Sequence, residues 1–219
     1  MGLCALSAAL GDDARADPGY YLVRPYSEPG QATLDLRYWT ARAPGRSSVL
    51  WPEAGLRYGL TPSWSSELLL SWIGPAWDEQ TLSSINWIHQ FLFTQGEGPV
   101  DLGLHVQLIH QRGEGNAVEV GPLLQTEIGL TQLNLNAFWM HDSHARRRNE
   151  ARLQWQALHR WGPGWRAGLQ GFAEPHSWRT GPTVRVALAG QVDLQAAYLW
   201  GNVYGRRGEM FSAHLQWGF

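Results

Sequence analysis

Twelve ionisable residues recur at alternate positions of extended segments: Asp35, Arg37, Glu53, Arg57, Glu67, Glu119, Glu127, Arg152, Arg166, Glu174, Arg185 and Asp193. Each shares a face with other polar groups and backs onto an apolar face. Seven are acids and five are arginines, a slight negative bias. Around water, facing acids and bases would set a transverse field that orients dipolar or charged solutes. In a narrow interior the same residues would pair into arginine–carboxylate bridges that fill it. An arginine turned toward hydrocarbon at mid-depth would instead cost about 2–4 kcal/mol. The charged face is therefore wet or internally paired, and both readings stand at this point.

The densest polar cluster is His141-Asp142-Ser143-His144-Ala145-Arg146-Arg147-Arg148. Its His-x-Ser pair resembles that of the lipid A deacylase barrels, which carry a His and a Ser two residues apart near the membrane rim. That resemblance implies a hydrolase acting through His141 and Ser143, although His144 stands where that family has Asn. Arg146, Arg147 and Arg148 are expected to hold lipopolysaccharide phosphates by charge-assisted hydrogen bonds. With His176 the loop offers imidazoles but no clustered carboxylate or Cys support, so no metal is expected, and no other cofactor. His105 and His214 read as hydrogen-bonded wall residues. Gly-x-Ser-x-Gly, His-Glu-x-x-His, phosphate-binding Gly loops and paired Cys are absent from the sequence. The His, Ser and Asn trio of the outer-membrane phospholipase finds no place in it either. No catalytic residue is assigned, and the chain is not expected to be an enzyme.

The elements that position these residues read as strands. From about residue 31 onward hydrophobicity alternates with period two, not the helical 3.6. Segments fall near 33–41, 49–60, 64–73, 82–93, 101–110, 117–129, 132–140, 151–160, 165–174, 183–189, 192–200 and 209–219. In the sixth, Val118, Val120, Pro122, Leu124, Thr126 and Ile128 alternate with Glu119, Gly121, Leu123, Gln125 and Glu127. Tight connections at 60–63, 129–131, 161–164 and 190–191 carry turn residues. Longer polar stretches at 42–48, 75–81, 111–116, 141–150, 175–181 and 201–208 alternate with them, and 94–100 is a longer stretch where a short turn belongs. The expected fold is all-β: an antiparallel up-and-down transmembrane β-barrel of about twelve strands over residues 31–219.

The last segment places Phe211, Ala213, Leu215, Trp217 and Phe219 on one face and ends on an aromatic. In this the chain resembles bacterial outer-membrane proteins, whose assembly machinery reads such a carboxyl-terminal strand. The resemblance implies a bacterial outer-membrane location and the barrel-assembly machinery as a partner. Stretches such as Glu119-Val-Gly-Pro-Leu-Leu-Gln125 and Leu133-Asn-Leu-Asn136 are similar to a group of uncharacterised proteobacterial outer-membrane barrels labelled as transporters. That likeness covers about half the chain and implies no particular substrate.

Composition agrees with these expectations. Thirteen Trp among 219 residues suit the aromatic girdles of a membrane barrel. A Trp-rich carbohydrate-binding sandwich is the soluble alternative. A net charge of −2 argues against a nucleic-acid partner. Residues 1–16, with the single Cys4 and Ala14-Arg15-Ala16, read as a truncated signal-peptide remnant, and 17–30 as a periplasmic tail. The expected function is passive conduction or a transporter component for small hydrophilic solutes, in contact with outer-membrane lipid and lipopolysaccharide. The alternatives are a lipid-modifying barrel enzyme and a closed structural or adhesion barrel.

Overall fold

Alternation gives every strand one hydrocarbon face and one interior face, and a sheet of such strands satisfies all its backbone groups only by closing on itself. A computed structural model describes residues 22–42, 49–113, 115–143, 148–188, 191–203 and 206–219. Twelve antiparallel strands form a closed up-and-down barrel: β1 (Ala32–Arg42), β2 (Val49–Thr61), β3 (Trp64–Ile73), β4 (Thr81–Leu92), β5 (Val100–Gln111), β6 (Gly115–Ile128), β7 (Thr131–Asp142), β8 (Arg148–Gly162), β9 (Trp165–Glu174), β10 (Ser177–Ala187), β11 (Val192–Val203) and β12 (Arg206–Gly218). Closure is made between first and last strands, from Thr33 opposite Gly218 to Arg42 opposite Glu209. Backbone bonds between Ala32 and Phe219 complete it, at 2.9 and 3.1 Å.

Both strand termini lie at one end of the barrel, with the two-residue turns 62–63, 129–130 and 163–164. In outer-membrane barrels this is the periplasmic end. The opposite connections are shorter than the sequence suggests. β5 runs to Gln111 and β6 begins at Gly115, while β9 and β10 are separated only by 175–176 and β11 and β12 by 204–205. Polar residues beyond the hydrocarbon band keep their ladder partners there, so composition marks the water boundary and not the strand end. The 93–99 connection remains long for a turn at its end.

The outer face carries Leu36, Leu56, Leu68, Leu102, Leu135 and Leu169, all exposed. Aromatics gather toward its two edges, with Trp161, Trp165, Trp217 and Phe219 at the terminus end and Trp77, Trp178 and Trp200 at the other. Two tryptophans depart from the expected girdles. Trp39 and Trp51 point inward and stack, with ring centroids 4.5 Å apart. Trp39 has the parity of Asp35 and Arg37, and Trp51 that of Glu53, so the pleat carries both rings inside.

Candidate functional site: the barrel interior

Inward parity brings the charged residues onto one continuous inner surface. Arg37 grips Asp35 with two parallel bonds of 3.0 Å and reaches Glu67 at 2.6 Å. Asp35 also accepts from Gln216 and contacts His214. Glu53 accepts from Ser71 at 2.8 Å. Farther round the wall, Arg152 bridges Glu119 and Glu174, each at 3.1 Å. Glu119 lies 3.5 Å from His105, whose ring also pairs with Gln107. Such pairing fits buried arginines, whose planar fork matches carboxylates two bonds at a time.

Amides extend the same surface. Gln156, Gln170 and Gln195 form a chain across β8, β9 and β11, and Gln125, Gln132 and Asn134 another across β6 and β7. Near the periplasmic end, Arg166 meets Glu127 at 2.6 Å. Arg185 donates to the Gln132 side-chain oxygen Oε1 at 2.8 Å. Arg57 is half-buried and lines a cavity. That cavity, of roughly 570 Å³, is bounded by wall residues including Asp35, Gln90, Asp101 and Asp193.

The stretch Leu22–Gly30 supplies the rest of its lining. Leu22 and Val23 are buried, and Val23 packs with Leu123 and Phe138. Asn136, midway along β7, donates to the Val23 carbonyl at 2.9 Å. Arg24 forms an ion pair with Asp193 at 3.1 Å and bonds Gln216. Ser27 exchanges two bonds with Gln95 and donates to the Thr61 carbonyl. The segment enters past Gly59, where a Cβ would lie 1.9 Å from the Glu28 carbonyl oxygen. Tyr26 donates to Glu28 at 2.7 Å, and that bond to a carboxylate raises its phenol pKa.

Toward the other end the interior becomes apolar. Trp39, Trp51, Phe172, Ala197, Leu199 and Met210 form one cluster with contributions from β1, β2, β9, β11 and β12. Strands β2 and β9 lie on nearly opposite walls of the ring, so the cluster bridges the lumen. Its members are sealed from water, with Trp51 2% and Met210 1% exposed.

His141 pairs with Asn149 at 2.8 Å, and Ser143 donates to the Asn116 carbonyl at 2.5 Å, so each is engaged apart from the other. Arg146 and Arg147 lie outside the described residues, and Arg148 opens β8 opposite Asp142. Residues 1–16 and 17–21 also lie outside them. Among the described residues no group of three or more His, Cys, Asp or Glu is placed to hold a metal. Phe211, Leu215 and Trp217 are on the outer side of β12, and Phe219, the residue after it, is 63% exposed. Arg24, Val23 and the two inward tryptophans were not singled out as site residues by sequence; for Trp39 and Trp51 the signal was their parity.

A closed, all-antiparallel twelve-stranded barrel with an apolar outer belt and a polar inner wall is the architecture of outer-membrane β-barrel proteins. No protein-family model matches the chain, and no curated protein matches it in sequence. Solved structures do match in fold. A KdgM porin in complex with disordered oligogalacturonate superposes with a TM-score of 0.64 at 8% identity, covering 85% of this chain and 99% of that one. An outer-membrane channel from Pseudomonas putida F1 gives 0.63 at 14% identity, with 94% and 100% covered. The NanC porin gives 0.60 at 8% identity, with 83% and 98% covered. The chain is thus porin-like in fold across nearly its whole described length.

Proposed function

We propose that this barrel sits in a bacterial outer membrane and is a conduit for small hydrophilic solutes, held closed in the form described. The cavity of roughly 570 Å³ at the periplasmic end carries this reading. It is large enough for a small metabolite and lined by paired charges and carboxamides, groups that exchange hydrogen bonds with a solute at little net cost. The fold shared with porins and a channel supports the same reading. Passage needs two movements: withdrawal of Leu22–Gly30 from the mouth and parting of the Trp39–Trp51 cluster. The lumenal charges Glu53, Arg57, Glu67, Glu119, Glu127, Arg152, Arg166, Glu174, Arg185 and Asp193 then act as selectivity elements, by orienting charged or dipolar solutes. Lipopolysaccharide contact through Arg146, Arg147 and Arg148, and reading of Phe211, Leu215, Trp217 and Phe219 by the assembly machinery, belong to the same proposal.

Liposome swelling tests it. Vesicles carrying the Trp51→Ala protein should swell faster in small sugars than vesicles carrying the wild type. Equal rates, both at the level of protein-free vesicles, would remove the conduit reading.

A further inference from the structure

Three arginines occupy adjacent strands at one level of the periplasmic mouth. Arg160 of β8 is the ladder partner of Arg166 of β9, and Arg166 is the ladder partner of Arg185 of β10. Like charges directly opposite on paired strands repel, which destabilises such a row unless anions or water compensate it. Glu127 takes Arg166 at 2.6 Å and stands 3.9 Å from Arg160. Asp193 is engaged by Arg24 of the inserted segment. Among the described residues Arg185 has no carboxylate at ion-pair distance, and its bond is to the neutral side-chain oxygen Oε1 of Gln132. Arg24 and Arg166 both repel it, against the attraction of Asp193 and Glu127. Four guanidinium groups thus share two carboxylates.

Two further atoms belong to the same row. Arg166 Nη1 and Arg185 Nη1 are both buried and find no acceptor among the described residues. A buried donor without an acceptor is costly, more so when charged, and a native structure commonly fills such a position with an ion or water. These donors belong to cross-strand neighbours, whose Nη2 atoms end on Glu127 and on the Gln132 side chain, themselves ladder partners. Gln132 and Asp193 line the large cavity, and Gln132 accepts from Arg185, so Arg185 is one residue removed from that lining.

We infer an oxyanion-binding site formed by Arg166 and Arg185, reached from the periplasmic cavity, for the carboxylate or phosphate group of a small solute. The inference deepens the conduit reading and rests on it for the route of access. An arriving oxyanion takes the place of the Gln132 side-chain oxygen on Arg185, exchanging a neutral acceptor for a charged one. Charge-assisted bonds of this kind are roughly twice as strong as neutral ones.

Isothermal titration of the folded, detergent-solubilised full chain tests this without requiring conduction. Inorganic phosphate and succinate are the two probes, with sodium chloride matched for ionic strength. The wild type should bind at least one of them, and the choice between them separates phosphate from carboxylate recognition. Arg185→Gln should weaken binding about tenfold or more, as expected for loss of a hydrogen bond to a charged group. Arg185→Lys keeps the charge without the fork and should fall between; it also serves if the Gln variant fails to fold. Arg112→Gln, at the opposite end of the barrel, should bind as the wild type does. No heat with either probe on the wild type, or equal affinity in the Arg185 variants, would overturn the site. Binding without vesicle swelling would retain the site and reject conduction, whereas swelling without binding would do the reverse.

Discussion

Arg24 Nη1 lies 3.1 Å from Asp193 Oδ2, tying the segment before β1 to the start of β11 across the mouth of the barrel. The same guanidinium bonds Gln216 of β12, so one side chain holds the segment to two strands. Because both partners are about a quarter exposed, water screens the pair and its worth is modest.

Arg24→Ala should therefore shift the segment toward its undocked state by about tenfold, the equivalent of about 1.4 kcal/mol. Amide hydrogen exchange at Val23 and Ser27 reads this directly. Unchanged protection at both positions would show that the latch contributes nothing.

Gly59→Ala should release the segment more completely. The added methyl would lie 1.9 Å from the Glu28 carbonyl oxygen, a backbone atom that can yield only by moving the chain. The barrel should still assemble and show its heat-dependent gel shift, while a protease site placed at Ser27 becomes cleavable. Gly98→Ala, which meets nothing within 4 Å, should leave the segment protected.

Arg152→Ala should destabilise the barrel by about 3–5 kcal/mol, because Glu119 and Glu174 would each lose a charged partner inside the wall. A urea midpoint measures the loss. Replacing Arg152 by Met together with Glu119→Gln and Glu174→Gln should recover most of it, since the cost lies in stranded charge and not in missing attraction.

Leu135→Arg tests the strand faces. Leu135 is exposed on the outside of β7 while Asn136 beside it is buried within. An arginine at Leu135 should cost about 2–4 kcal/mol near mid-depth. A negligible change in urea midpoint would mean that this side of β7 does not meet hydrocarbon.

Strand number and facing were legible because period-two alternation is written into each strand by the solvent on its two sides. Glu119, Glu127 and Val118 in β6 show it most clearly. Strand ends were harder, since the polar residues flanking 175–176 and 204–205 read as loop although they keep their ladder partners. The inserted segment left no periodic mark: Val23 is held by a carbonyl contact with Asn136, 113 positions away. The inward Trp39 and Trp51 followed the parity of their charged neighbours, but abundant tryptophan at the membrane edges drew them toward the girdle. Pairing partners such as Arg185 with Gln132 depend on the stagger between β7 and β10, which no local pattern encodes.

Single-channel recording in planar bilayers tests conduction most directly, with the folded wild type beside a Trp51→Ala, Arg24→Ala double variant. The wild type should be silent or show rare small steps, and the variant should show frequent steps several times larger, because both the apolar bridge and the segment latch are weakened. Silence from both proteins, with each shown to be folded by its gel shift, would contradict the account.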